Sequence, residues 1–339
     1  MPYHPPFALT PRLIDLVSQI SEELGRRAAA EGAISPRLRR ENRIRSIHAS
    51  LAIENNSLSL EQVTAILEGK RIRGLPREIQ EVKNAVAAYE LLETLNPSSQ
   101  RDFLTAHATL MQSLADDAGR FRTGGVGIYQ GKRLVHMAPP AERVPYLVKD
   151  LFAWMKSTDL HPLLASAALH YEIEFIHPFS DGNGRIGRLW QTVVLSKWKP
   201  QLAFLPVESV VHDRQAAYYK ALAASDQQAN VAPFAEFILQ ALLDAVLTSS
   251  NSDLVTDPVS DPVKRLLSAF DPDQAIGIQE LLKRMGLTHK TYFRRNYLNP
   301  ALAGGLLSRT EPDSPNSPTQ RYRLTELGKR LISSNQDSK

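Results

Sequence analysis

The sequence predicts a mainly α-helical chain in two parts, and three observations carry that prediction. Apolar residues recur at helical spacing through most of the first 248 residues. Between 119 and 138 the character changes to "GRFRTGGVGIYQGKRLVHM", rich in glycine and β-formers, with Gly131 between two short extended runs. That pattern reads as a β-hairpin set into a helical domain. At 249–262, "SSNSDLVTDPVSDP" is polar and repeats Asp-Pro; proline removes backbone donors and restrains the residue before it, so the segment reads as a linker.

The first helix opens with Thr10 as cap and Pro11 at its first position, and Ile14, Val17, Ile20 and Leu24 follow at helical spacing. Further helices are expected over 36–54, 59–68, 76–95, 101–114, 143–156, 160–175, 185–197, 213–225 and 231–248. Beyond the linker, "PVKRLLSAF", "IQELLKRMG" and "THKTYFRRNYL" read as three short helices with Gly286 at the turn after the second. Two short strands around a Pro/Ser loop and a terminal helix complete a winged helix-turn-helix pattern. The domains are therefore 1–248, a linker over 249–262, and 263–333.

Composition bounds the function. At 339 residues, with 43% apolar and 22% charged residues, the chain can bury a sizeable core, and about 150 residues per domain suggests two domains. There is no cysteine, which excludes disulfides, thiolate zinc sites and cysteine nucleophiles. "MPYHPPFALTPRLIDL" lacks the pattern of a signal peptide, and no apolar run approaches the roughly 18–20 residues of a membrane span, so a cytoplasmic protein without a membrane partner is expected. The net charge of +4 is mild but uneven. Residues 283–330 hold ten Lys and Arg against three acids, Glu311, Asp313 and Glu326.

The most chemically loaded stretch is "HPFSDGNGRIGR", residues 177–188. An apolar stripe, Leu164, Ala167, Ala168, Tyr171 and Phe175, runs up to His177-Pro178, where the proline stops the helix. A new pattern with Ile186, Leu189 and Val193 begins near Gly184. The stretch is thus a loop feeding a helix N-terminus, where free N–H groups and the dipole favour an anion. Gly182 and Gly184 allow close backbone approach and positive φ. Arg185 and Arg188, three apart, suit a polyphosphate. Asp181 is placed to hold a hard divalent ion beside phosphates, and His177 can accept a hydroxyl proton. Each part alone has an ordinary structural use; transfer from a magnesium nucleoside triphosphate to a hydroxyl uses them all.

His177-Pro178-Phe179-Ser180-Asp181-Gly182-Asn183-Gly184-Arg185, with Arg188 after it, resembles the complete signature of the Fic (filamentation induced by cAMP) family, mostly AMP transferases that modify protein hydroxyls. The resemblance extends over roughly 35–245, and the unit after the linker resembles an extension found on some Fic proteins. It implies a Fic-type helical core with a β-hairpin flap, ATP and Mg²⁺ (Mn²⁺ as the alternative) as cofactors, and a protein substrate with a hydroxyl acceptor. His177 would be the general base and Asp181 the metal ligand. Gly182, Asn183 and Gly184 would line the anion hole, with Arg185 towards the β-phosphate and Arg188 on the γ-phosphate. Doc-type members that transfer a terminal phosphate carry Lys where this chain has Gly184, and the phosphocholine branch departs at the position of Arg188; neither departure is present.

The hairpin corresponds to the family's flap, whose edge would dock the target through backbone pairing, with Ile128, Tyr129, Val135, His136 and Met137 as its residues. "SLAIEN", residues 50–55, resembles the family's inhibitory motif in its N-terminal, class II position. Ser50 and Glu54 share a helix face, Asn55 ends the helix, and Glu54 would occupy Arg188 in place of the γ-phosphate. In some members the corresponding Glu orients a water that removes AMP, so a brake and a hydrolytic role both stand. A reading of another class also stands: a DNA-binding regulator that presents Thr288, Lys290, Arg294 and Arg295 to a groove, with a protein contact through the winged helix as the alternative. Self-modification fits either reading, and self-association as a homodimer is common among such Fic proteins.

Overall fold

Thr10 and Pro11 start the first helix as their chemistry dictates: the Leu13 amide donates to Thr10 Oγ1 at 3.2 Å, and α1 runs Pro11–Ala30. The computed structural model describes residues 3–30, 36–130, 133–254, 261–271, 274–287, 289–303, 305–311, 317, 319–326 and 328–329. The chain forms two compact units, Met1–Ser249 and Ser250–Lys339.

The first unit continues with α2 (Pro36–Ile53), α3 (Leu60–Leu67), α4 (Pro76–Glu90) and α5 (Gln100–Leu110). The hairpin β1 (Gly127–Gln130) and β2 (Arg133–Met137) follows, then α6 (Val144–Ser157), α7 (Pro162–Ile176) and α8 (Asn183–Trp198). The last helices are α9 (Val207–Asp213), α10 (Gln215–Gln228) and α11 (Ala232–Leu254).

Helices α7 and α8 lie at the centre. Nearly every face of α7 is buried, as befits a helix apolar all round, and Gly187 lets α8 approach it closely: a Cβ there would meet His170 Cδ2 at 2.9 Å. Beneath the loop that joins them, Phe103 of α5 packs on Phe152, Phe179 and Trp190, with ring centroids 5.2, 5.4 and 5.1 Å away. Each such buried aromatic contributes about 1.5–3 kcal/mol of burial energy, so the loop stands on a firm floor.

The sequence reading departs from the structure in several places. Ile14 is exposed (59%); Leu13 and Leu16, each one residue before the expected Ile14 and Val17, join the expected Ile20 and Leu24 in the buried stripe. Helix α4 stops at Glu90 although Leu92 and Leu95 stay buried: apolar spacing continued after the backbone had turned. The short α9 and the 3₁₀ turn Pro200–Phe204 carry too few residues to show a period. Helix α11 continues to Leu254, because its Ser and Asn residues do not stop a helix that is already propagating. The start of the expected linker is therefore helical, and residues 255–260 lie outside the described residues.

The second unit holds α12 (Asp261–Leu267), β3 (Ile276–Gly277), α13 (Ile278–Met285) and α14 (Lys290–Phe293). A π-helical turn, Arg294–Leu298, leads into α15 (Asn299–Ala303), followed by β4 (Leu307–Arg309) and β5 (Arg321–Leu324). Gly286 ends α13 with φ 65°, the left-handed turn its position called for. The two expected strands pair antiparallel, and β3 adds a third in the order β3-β5-β4. Leu266, Leu281, Phe293, Leu307 and Tyr322 fill its core. Thr288 and most of the expected terminal helix lie outside the described residues.

Candidate active site

His177 closes α7 in the left-handed conformation, φ 50° and ψ 61°. That costs a non-glycine residue roughly 1–2 kcal/mol, so the surroundings must hold it. Its amide donates to Ile173 O at 3.0 Å, and its carbonyl accepts from Arg122 Nε at 2.7 Å. Nδ1 lies 3.3 Å from the Glu174 carbonyl oxygen, which only accepts; in the neutral ring Nδ1 therefore carries the proton and Nε2 the lone pair.

The loop that follows is braced from inside. The buried Asn183 side chain bonds the Phe179 backbone twice: the Phe179 amide donates to Oδ1 and Nδ2 donates to the carbonyl, both at 2.9 Å. The Phe179 ring stacks on His107 at 3.5 Å. His107 Nδ1 accepts from the Gly119 amide at 3.0 Å, so Nε2 is the protonated nitrogen and donates to Asp181 O at 2.9 Å. Burial pushes the His107 pKa down to about 4, which keeps this neutral tautomer in place. Ser180 Oγ donates to the Asp117 carboxylate at 2.7–2.8 Å. Gly182 has φ 84° and sits against Met111, whose sulfur would be 2.7 Å from a Cβ. The first N–H groups of α8 then have no intrahelical acceptor and point out of its N-terminus.

Two arginines flank that terminus. Arg185 is buried; its Nη2 is 3.0 Å from Asp181 Oδ1 and its Nη1 3.5 Å from Glu81. Arg77 also reaches Asp181, at 3.0 Å. Arg188, 4% exposed, donates from Nε to Ser50 Oγ at 3.1 Å and from Nη2 to Ser50 O at 3.0 Å and Glu54 Oε1 at 2.8 Å. Burial works against its charge, but Glu54, with Tyr218 and Glu174 near by, more than offsets this and raises the pKa above the ordinary value.

Glu54 lies in the turn just past α2, where Asn55 takes φ 66° and the Asn56 amide returns to Leu51 O at 3.1 Å. Asn56 and Ser57 then bond Glu78 and Glu81 of α4, while Gln215 caps Ile53 O at 2.8 Å. A Cβ on Gly184 would collide with Glu54 Oε1 and come within 2.9 Å of Arg188 Nη1. Gly184 is helical, so its lack of a side chain serves space rather than positive φ. The Asn183 side chain turns inward, which leaves its backbone N–H for an anion.

These residues suit a triphosphate with a divalent cation. The Arg185 Nε is buried with no hydrogen-bond partner among the described residues. No group of three or more His, Cys, Asp or Glu that could hold a metal occurs among the described residues, so a cation at Asp181 would draw its other ligands from phosphate oxygens and water.

The structure thus brings His177, Asp181, Gly182, Asn183, Gly184, Arg185 and Arg188 together on the α7–α8 turn and the start of α8, with Ser50 and Glu54 against Arg188, and Asn55 in the turn that follows α2. The hairpin pairs Gly127 with Met137 and Ile128 with His136, and a bulge between Ile128 and Tyr129 shifts the next pair to Tyr129 with Leu134, passing over Val135. Met137 is exposed (63%). Residues 131–132 lie outside the described residues. In the second unit Lys290 is exposed and Arg294 half-buried, and Arg295 lies in the same π-helical turn. Sequence reasoning missed Arg77, Glu81, His107 and Arg122. None carries a local motif, though the Arg-x-x-x-Glu spacing of Arg77 and Glu81 marks an ion-paired helix face.

The first unit is a helical domain that turns His177, Asp181, Arg185 and Arg188 onto one helix N-terminus, a geometry that favours an anion. The Fic/DOC family model matches residues 97–195, and the model of the Fic-like C-terminal domain (filamentation induced by cAMP protein Fic-like) matches 261–325. The crystal structure of a Fic family protein from Desulfovibrio desulfuricans G20 superposes with a TM-score of 0.73 at 55% identity, covering 96% of this chain and 99% of that one. The chain belongs to the Fic family. Protein adenylyltransferase fic-1 of Caenorhabditis elegans is 32% identical over 238 residues, 64% of this chain and 44% of that protein. A solved Fic-1 fragment (aa134–508) from C. elegans has a TM-score of 0.59 at 25% identity, covering 73% of each chain. The chain thus spans less than half the length of the curated worm protein. Among the described residues no helix is long and apolar enough to cross a membrane.

Proposed function

We propose that the protein transfers AMP from ATP to a hydroxyl side chain, Tyr, Thr or Ser, of a target protein. The observation that carries this reading is the convergence of His177, Asp181 and the α8 N-terminus on one braced turn. The target hydroxyl oxygen attacks the α-phosphorus and His177 Nε2 takes its proton. The bond to the β-phosphate breaks, and pyrophosphate leaves with the electron pair. The N–H groups of α8, Arg185 and Arg188 bear the phosphate charge, and Asp181 would hold a Mg²⁺ or Mn²⁺ that would neutralise the same charge. The flap edge docks the target. The naming of the worm and insect relatives as protein adenylyltransferases supports this reading.

Glu54 acts as the brake. Its 2.8 Å pair with Arg188 takes the cation that the γ-phosphate needs, so ATP settles productively only when Glu54 withdraws. The test uses ATP labelled on either the α- or the γ-phosphate, with wild type, Glu54→Gly and Glu54→Gly/His177→Ala. The reading expects protein-bound label from the α position alone, strongest in Glu54→Gly and absent in the double variant. Label from the γ position would replace it with a kinase-like reaction.

For the second unit we propose a winged helix that contacts DNA. Arg321 and Arg323 alternate on the exposed side of β5 with the buried Tyr322 and Leu324, and Lys290 is exposed at the start of α14. Retention on duplex DNA should fall steeply with salt, and retention indifferent to salt would remove the proposal.

A further inference from the structure

Arg122 is 4% exposed, and among the described residues its guanidinium hydrogen-bonds no carboxylate. Its guanidinium is satisfied by main-chain carbonyls instead. Nε donates to His177 O at 2.7 Å, Nη1 to Gly124 O at 2.8 Å, and Nη2 to Pro139 O at 2.6 Å and Ile176 O at 3.3 Å. Its own amide donates to Pro178 O at 3.0 Å. Ile176 and His177 end α7, where the last carbonyls lack helical partners and the dipole is negative. Gly124 precedes β1 by three residues and Pro139 follows β2 by two, so they are the two roots of the hairpin.

One side chain therefore fastens both roots of the hairpin to the residue that carries the base. Only arginine presents so many donors in a fixed plane; lysine would keep the charge but offer a single nitrogen. The bond to His177 O bears on the one peptide unit that must hold a left-handed residue directly before a proline, a conformation the chain disfavours on both counts.

We infer that Arg122 is a positioning residue for the transfer reaction, setting the flap and the His177 imidazole at a fixed distance from one another. The inference rests on the AMP-transfer reading, in which the flap presents the acceptor hydroxyl and His177 takes its proton. Those two partners come from different elements, and the shared guanidinium is what registers them. Arg122 touches none of the groups assigned to the phosphates, so its loss should act on turnover and leave nucleotide affinity alone.

The test uses the full chain carrying Glu54→Gly, with Arg122→Lys, Arg122→Gln and Arg122→Ala added separately. Turnover should fall about 10–100-fold in each, the range a misplacement of about an ångström produces, while the affinity for a non-hydrolysable ATP analogue, read by calorimetry, stays within about 2-fold. Ethylguanidinium should restore part of the turnover of Arg122→Ala, which a merely loosened fold would not permit. Hydrogen exchange should accelerate together over 123–127, 137–140 and 176–179 in Arg122→Lys. Equal losses of turnover and nucleotide affinity, no rescue, or accelerated exchange at the flap roots alone would each overturn the inference. If the Glu54→Gly parent transfers no AMP, the functional reading fails instead. The exchange pattern then decides by itself whether Arg122 couples the flap to the loop.

Discussion

The Glu54 carboxylate meets the Arg188 guanidinium at 2.8 Å directly above the bare Cα of Gly184. One acidic side chain from the turn after α2 thus covers both the cation and the helix N-terminus that a triphosphate would use. The pair is asymmetric: the Arg188 side chain is 3% exposed and that of Glu54 36%. Arg188 is therefore a fixed part of the core, whereas Glu54 reaches it from the solvent side and is the partner free to leave.

Glu54→Gly should raise the rate of AMP transfer about 10–100-fold, the equivalent of one charge-assisted hydrogen bond of roughly 1.5–3 kcal/mol. The same substitution should lower the melting temperature, because a buried guanidinium loses its paired carboxylate and is left with its hydrogen bonds to Ser50 and the more distant Glu174. ATP should recover more of that stability in Glu54→Gly than in wild type, since in wild type it must first displace Glu54. A thermal-shift titration with α-labelled transfer in parallel reads both effects, and a rate unchanged by Glu54→Gly would remove the brake.

His177→Asn should abolish transfer, a loss of about 10²–10⁴-fold for a general base, without unfolding the domain. Asparagine tolerates the left-handed backbone that His177 adopts better than alanine does, so the comparison separates lost chemistry from lost conformation. Melting temperatures of His177→Asn and wild type should agree closely. Activity retained in His177→Asn would assign the proton to another group.

How much of this was legible beforehand follows from which signals are local. The α7–loop–α8 unit could be read because Pro178, Gly182 and the arginines impose their conformations within a few residues. Glu54 could be paired with Arg188 through the family resemblance, although 134 residues separate them. Arg122 and His107 could not, because their roles depend on carbonyls and amides that only the tertiary fold brings within reach. Ile14 was misread because Leu13 and Leu16 offer the same helical spacing one residue earlier, and the end of α4 because apolar spacing marks burial, which continues through turns.

Asn183→Ala should cost about 2–4 kcal/mol, more than an ordinary surface change. It leaves the buried amide and carbonyl of Phe179 unsatisfied together, each worth roughly 1–3 kcal/mol. Chemical denaturation measures the loss, and exchange of the Phe179 amide should quicken selectively. A cost below about 1 kcal/mol would mean that the loop is held by the His107 stack rather than by the asparagine.

Glu172 contributes a pH dependence that a single substitution can isolate. It is 3% exposed on α7, and burial lifts its pKa from 4.5 to about 7, with a hydrogen bond from Tyr3 opposing the rise and Asp226 adding to it. The segment carrying Tyr3 is also pinned where the Val231 amide donates to Pro6 O at 2.7 Å. The folded carboxyl thus keeps its proton over a range in which the unfolded one has lost it. Stability from this group is fully present below about pH 4.5 and declines as pH rises to about 7, by up to about 3 kcal/mol. Glu172→Gln keeps an acceptor for Tyr3 but has no proton to lose. The variant should therefore gain on wild type as pH rises from 4.5 to 7 and hold that gain above 7. Denaturation midpoints of both proteins across this range read the effect, and a difference that stays flat with pH would show that Glu172 is ionised in the folded chain throughout.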